Sequence, residues 1–246
     1  MNKEFKFIKN HKEKHVFYTG NKKHVMITDH IGCMCPKCFS VKEMDIVFSD
    51  VISPVYEDEF KDSYVSNEIY GKCPKCGKHV KFIQLDINIA EIVGILNRKG
   101  YYTAYCCEGH LEENNDGIME FNSPYIYFYY WSDTEILETY PLPNTWHIQP
   151  DDKECRIFSI RDTICDNTPK SIEDYDDYIE LVESSWDQEK SLSDIYEWAL
   201  SLPTKDKNEK SVHRSLIRSV GKGMINANAD IYIRYLNSKN KNKIGE

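Results

Sequence analysis

The chain has 246 residues, room for one large or two small domains that bury roughly three quarters of their unfolded surface. Apolar residues make up 41% and charged residues 29%, and no run approaches the roughly 20 apolar residues of a membrane span, which excludes an integral helical membrane protein and a wholly disordered chain. Thirty-one Lys and Arg against 40 Asp and Glu leave a formal charge of −9, which argues against indiscriminate DNA binding.

The charge is segregated. Residues 1–24 hold seven Lys against two Glu, residues 166–197 hold eleven acids against two Lys, and residues 205–246 hold ten Lys or Arg against four acids. Such blocks serve as solvated faces, and they also select charged partners: RNA or DNA for the basic stretches, a basic protein for the acidic one. The Lys-rich start, MNKEFKFIKNHKEKH, never runs into an apolar segment, so no secretory signal is read and the expected location is cytoplasmic, away from membranes.

In chain order, HVMITDH, MDIVFSDV and HVKFIQLDI come first, alternating apolar and polar residues around Val25 and Ile27, Ile46 and Phe48, and Val80, Phe82 and Leu85. This is the period of half-buried strands. Two near-identical cysteine pairs punctuate them, Cys35-Pro-Lys-Cys38 and Cys73-Pro-Lys-Cys76-Gly77. Cytosolic thiols stay reduced, so nine cysteines read as metal ligands or reactive thiols and not as disulfides. A two-residue gap lets one tight turn aim two thiolates at one ion while backbone N–H groups donate to the sulfurs. Two such turns complete a tetrahedral four-thiolate site, Cys35, Cys38, Cys73 and Cys76, for Zn²⁺ in a structural role, since no coordination position stays open. Iron is the alternative metal, and Cys33 is a surplus thiol that can replace Cys35. The pattern resembles zinc ribbons, in which two hairpins each present one cysteine turn, with YEDEFKDS as a polar insertion; residues 1–85 are read as that unit.

Asp86 or Asn88 can cap a helix that carries Ile89, Ile92, Val93 and Leu96 on one face and ends at Gly100. YYTAYCC then reads as a strand, EGHLEENNDG as a loop, PYIYFYYW as an aromatic strand, PLPN as a turn, and TWHIQ and CRIFSIR as two further strands. Residues 86–166 are thus an α+β ligand domain with one strong helix and a small mixed or antiparallel sheet. From Ser171 the apolar spacing is helical, through Ile172, Tyr175, Ile179 and Val182, then Leu192, Ile195, Trp198, Ala199 and Leu202 before Pro203. A helical region over 167–236 and a disordered tail over 237–246 complete the expected α+β fold.

The segment NRKGYYTAYCCEGH places Cys106, Cys107, Gly109 and His110 at a strand end, where backbone N–H groups and side chains converge. Several readings are open. Cys106 packs in the core while Cys107 and His110 flank a ligand; Cys107 and His110 join a further residue such as His147 in a second, open metal site; or the Cys–His pair is nucleophile and base. A buried Cys pair with a loop His that satisfies backbone groups is the plainer alternative. The candidate ligand-binding residues are Thr103, Cys107, Glu108, Gly109 and His110, with Tyr127 from the aromatic strand, whose rings either stack bases or build core.

Asn97, Lys99, Gly100, Tyr101, Thr103, Cys106, Cys107, Gly109 and His110 match the core pattern Asn-x-Lys-Gly-Tyr-x-Thr-x-x-Cys-Cys-x-Gly-His of an uncharacterised group of bacterial and phage proteins that the chain resembles over about residues 80–203. The resemblance implies an accessory protein of phage or mobile-element type, acting in the host cytoplasm if phage-encoded. More distantly, the turn looks like the Ser-Cys-Ser-Gly motif of the tRNA methyltransferase of wybutosine synthesis, with Cys106, Glu108 and His110 where that family has Ser, Ser and a basic residue. No P-loop, GxGxxG or HExxH is present, which leaves nucleoside triphosphate hydrolysis and dinucleotide-dependent hydride transfer without support. The leading expectation is a zinc-binding accessory protein that recognises a nucleotide-like or nucleic-acid ligand. The rivals are a protein-binding, anti-CRISPR-like or other anti-defence inhibitor that docks through the acidic helical region, and an S-adenosylmethionine-dependent RNA methyltransferase-like enzyme.

Overall fold

The computed structural model describes residues 4–20, 22–52, 69–113, 118–128, 136–149, 158–162 and 172–206. In chain order the elements are β1 (Lys12–Thr19), β2 (Lys22–Met34), β3 (Val41–Ile52), β4 (Tyr70–Lys72), β5 (His79–Lys81), β6 (Ile83–Asp86), α1 (Ile87–Lys99), β7 (Thr103–Cys107), β8 (His110–Glu113), β9 (Met119–Asn122), β10 (Tyr125–Phe128), α2 (Ile136–Thr139), β11 (Trp146–Gln149), β12 (Phe158–Asp162), α3 (Ile172–Ser185) and α4 (Gln188–Ser201). The class is mixed α+β, and among the described residues every strand pairing is antiparallel.

Three differences from the sequence reading stand out. The Lys-rich start was expected only as a cationic stretch, yet KEKHVFYT forms β1, because Thr19 returns to Lys22 across Gly20 at φ 60° and the strand pairs with the first half of β2. HVKFIQLDI is two strands, with Phe82 between β5 and β6, so one half serves the cysteine hairpin and the other pairs with Ile31–Met34 of β2. The segment expected as a loop at EGHLEENNDG contains β8, which pairs with β9 from His110 opposite Asn122 to Glu113 opposite Met119. The expected insertion YEDEFKDS, the helical stretch after 206 and the 237–246 tail lie outside the described residues.

Helix α1 organises the interior. Its N-terminal seven residues include Ile87, Ile89, Ile92 and Val93, all buried, and Gly100 ends it at φ 102° with its N–H on the carbonyls of Leu96 and Asn97. Arg98 and Lys99 in the last turn suit the negative end of the helix dipole. Arg98 Nη1 donates to the Phe39 carbonyl at 2.7 Å, and Lys99 Nζ donates to the carbonyls of Leu200 in the last turn of α4 and of Leu202 just beyond it. The main core lies between α1, α4 and the inner face of the sheet ordered β11-β12-β10-β7, with Leu96, Ile126, Phe128, Trp146, Ile160, Leu192 and Ile195 fully enclosed. A smaller core under the cysteine turns holds Ile31, Cys33, Val80 and Phe82. On α3 the acids Asp176, Asp177, Glu180 and Glu183 face outward while Ile179 and Val182 are buried. Among the described residues no helix is long and apolar enough to cross a membrane.

Candidate functional site

Two hairpins present the cysteine pairs. Met34 pairs with Val41 and Lys72 with His79, so each hairpin closes over a six-residue turn. The turns are built alike: the N–H groups of Phe39 and Gly77 donate to the carbonyls of Cys35 and Cys73, and the N–H groups of Cys35 and Cys73 donate to those of Ser40 and Lys78. The Cys35 and Cys76 sulfurs lie 3.8 Å apart and those of Cys38 and Cys73 3.7 Å apart, close to the about 3.8 Å edge of a tetrahedron with about 2.3 Å metal–sulfur bonds. The Lys37 N–H donates to Cys35 Sγ at 3.4 Å, and the Ser40 hydroxyl lies 3.1 Å from Cys38 Sγ and 3.4 Å from Cys73 Sγ. Burial pushes the Cys35 thiol up to about 12. At Cys73 burial also acts upward, but the Ser40 hydroxyl and the Cys76 and Lys75 N–H groups outweigh it and bring the thiol down to about 6. These four residues can hold one metal ion. Cys33 stands outside the group, fully buried in the small core.

Around the second motif, strand alternation separates the paired cysteines. Cys106 is opposite Ile126 and packs against the main core, while Cys107 is opposite Tyr125 on the other face. A bulge between Ile126 and Phe128 then changes the register, so Thr103 sits opposite Phe128 and its hydroxyl accepts from Asn97 Nδ2 of α1 at 2.9 Å. Thr103 therefore lies with the helix, apart from Cys107 and Tyr127.

Glu108 is buried and fully engaged. Its Oε2 accepts the Asn88 N–H at 2.9 Å, its Oε1 accepts from His11 Nε2 at 2.5 Å, and its own N–H donates to Asp86 Oδ2 at 3.2 Å. His11 Nδ1 donates to Asp29 at 3.0 Å, and these hydrogen bonds to Asp29 and Glu108 raise the imidazole to about 10. Gly109 takes φ +86°, and a Cβ there would come within 2.7 Å of Pro124 Cδ and 3.0 Å of Trp186. Gln188 Nε2 holds the same turn by donating to the carbonyls of Glu108 and Gly109.

His110 opens β8 and lines an open cleft of about 850 Å³ with Phe7, Asn10, Ser185, Trp186 and Gln188. Its Nε2 lies 3.9 Å from Asp86 Oδ2, and donor atoms of Asp86, Cys107 and His110 all lie within 4.8 Å of one another. Burial and the Asp86 carboxylate push the Cys107 thiol up to about 12, and burial with the Glu108 charge raises Asp86. His147, the partner considered from the sequence, pairs with Arg161 in the sheet and is not in this group. From the sequence Asp86 reads only as a helix cap, and His11, Asp29, Trp186 and Gln188 carry no signal.

The outer face of the sheet presents Tyr105, Tyr125 and Tyr127. Tyr105 meets Tyr127 edge-on at 6.2 Å and Tyr127 meets Tyr125 edge-on at 5.4 Å, while the Arg161 guanidinium lies 5.2 Å from the Tyr125 ring. Tyr105 is 55% exposed. Compared with known proteins, the chain matches no family model, no curated protein and no solved structure.

Proposed function

We propose that the protein is a zinc-ribbon-bearing binding protein that takes a nucleotide-like or nucleic-acid ligand on the outer face of its four-stranded sheet. The row of Tyr105, Tyr127 and Tyr125 with Arg161 beside it carries this reading. Aromatic rings on a sheet whose other face is closed by core offer stacking platforms to bases of any sequence, and a guanidinium at their edge suits a phosphate. In this reading the four cysteines hold Zn²⁺ structurally. The sulfur spacing and the N–H donors in the turns support tetrahedral thiolate binding, and four thiolates leave no vacant position for catalysis.

Fluorescence anisotropy with single-stranded RNA and DNA, and calorimetry with mononucleotides, test the ligand. Tyr127→Ala is expected to weaken binding about tenfold, the scale of one lost base stack. Arg161→Ala is expected to lower the salt slope by about one. Absence of binding to every probe, or variants that bind like the wild type, would overturn the reading; binding of S-adenosylmethionine in the same assay would favour the methyltransferase rival.

A further inference from the structure

The turn Cys107-Glu108-Gly109-His110 shares with the two cysteine turns the spacing of its end residues and a backbone donor on the first sulfur, with His in the last position. Cys107 and His110 keep the two-residue gap of Cys35 and Cys38. The N–H of the residue two positions on donates to the first sulfur at 3.4 Å in both, from Lys37 to Cys35 and from Gly109 to Cys107. Gly109, at φ +86°, supplies the left-handed residue inside this turn where Gly77, at φ +69°, follows the second cysteine pair. The third donor arrives from β6: Asp86 Oδ2 is held by the Glu108 N–H at 3.2 Å and lies 3.9 Å from His110 Nε2.

We propose that Asp86, Cys107 and His110 form a second metal site, which takes one divalent transition ion of the Zn²⁺ class through three protein donors and leaves its fourth position to water or to an atom of a ligand. One sulfur, one imidazole and one carboxylate suit Zn²⁺ and Co²⁺ and disfavour Mg²⁺ or Ca²⁺, which seek oxygen. The donors now span up to 4.8 Å, and side-chain shifts of about an ångström bring them to the about 3.3–3.8 Å edges of a tetrahedral site. Cys107 binds as the thiolate and releases its proton to solvent. The supports that orient ligands at a metal site are in place: the Glu108 N–H on Asp86 and the Gly109 N–H on Cys107, both in a turn clamped by Gln188. His110 lines the cleft, so this donor set reaches solvent there, unlike the closed four-cysteine site. Nothing in this inference depends on base stacking by the tyrosines.

Co²⁺ titration of the metal-stripped full chain tests it, because sulfur-to-cobalt charge transfer is strong for four thiolates and weak for one. Two equivalents are expected, one of each kind. Cys107→Ser should remove the weak band, and Asp86→Asn and His110→Ala should each weaken the second equivalent at least tenfold without touching the first, with thermal melting as the check on folding. One equivalent with the weak band alone would still support this site and count against the four-cysteine one. One equivalent with only the strong band, or a weak band that survives Cys107→Ser, would overturn the proposal.

Discussion

Asp86 and Glu108 divide the start of α1 between them. Asp86 occupies the cap position yet makes no cap hydrogen bond with its own side chain; it accepts the Glu108 N–H, and Glu108 accepts the Asn88 N–H in return. A carboxylate from a neighbouring strand end thus satisfies a helix donor and sits at the positive end of the helix dipole. The buried charge is balanced by His11, protonated between Asp29 and Glu108. With a folded value of about 10 against an ordinary 6.5, this histidine contributes stability that is whole below about pH 6.5 and is lost as pH rises toward 10. Urea midpoints measured across that window should fall in the wild type, and the share owed to His11 should be missing in His11→Gln. That variant also leaves Glu108 a buried carboxylate without its cation, an expected cost of about 2–4 kcal/mol at pH 6. At Phe39 the chain accepts φ 56°, the left-handed conformation that glycine supplies at Gly77. The gain is burial of the Phe39 ring at 5.7 Å from Tyr102. Phe39→Gly relieves about 1 kcal/mol of backbone strain but forfeits about 3–5 kcal/mol of core, so a net loss of about 2–4 kcal/mol is expected in denaturant unfolding, with the four-cysteine metal stoichiometry unchanged.

Among the elements, β2 and α1 form the decisive contact. A Cβ on Gly32 would fall 2.2 Å from the Ala90 Cβ, so glycine is what lets the helix lie against the C-terminal end of the long strand. Neither residue can move as a flexible side chain would. Gly32→Ala is expected to cost about 3 kcal/mol through displacement of α1 and to shift amide hydrogen exchange along both elements. A variant as stable as the wild type would show that the helix seats elsewhere. Helices α1 and α4 were legible because a 3.6-residue apolar period ran over three turns and ended at Gly100 and at Pro203. Strands β1 and β8 were not, since one is flanked by lysines and the other reads HLEE, and each owes its conformation to a partner strand.

For the molecule as a whole, the described parts are tied across long sequence distances. Ile8 and Asn88 exchange two hydrogen bonds, Phe5 packs on Tyr196 at 5.3 Å, and Lys205 donates its N–H to the Lys99 carbonyl. The small core beneath the cysteine turns contains few large side chains, so the metal is expected to supply much of its stability. Chelation, or Cys73→Ser, should therefore lower the melting temperature by about 6–12 °C, the equivalent of about 3 kcal/mol for a chain of this size, together with loss of bound metal measured by elemental analysis. Metal-free protein with an unchanged melting curve would show that the four cysteines are not a structural metal site.

The sequence alone determined the features written in short spacings: four cysteines in two matching turns, the α1 and α4 faces with their terminators, and an aromatic strand beside a Cys-Cys-Glu-Gly-His turn. Local chemistry suffices there, because a turn or a helix face is specified within a few residues. The tertiary structure alone decided what that turn does. It moved Thr103 to the helix side through a bulge, turned Glu108 into a buried cap paired with His11 across 97 residues, and brought Asp86 to Cys107 and His110 in place of His147. These outcomes depend on register and on which distant backbone N–H needs an acceptor, and neither is encoded in the spacing of nearby residues.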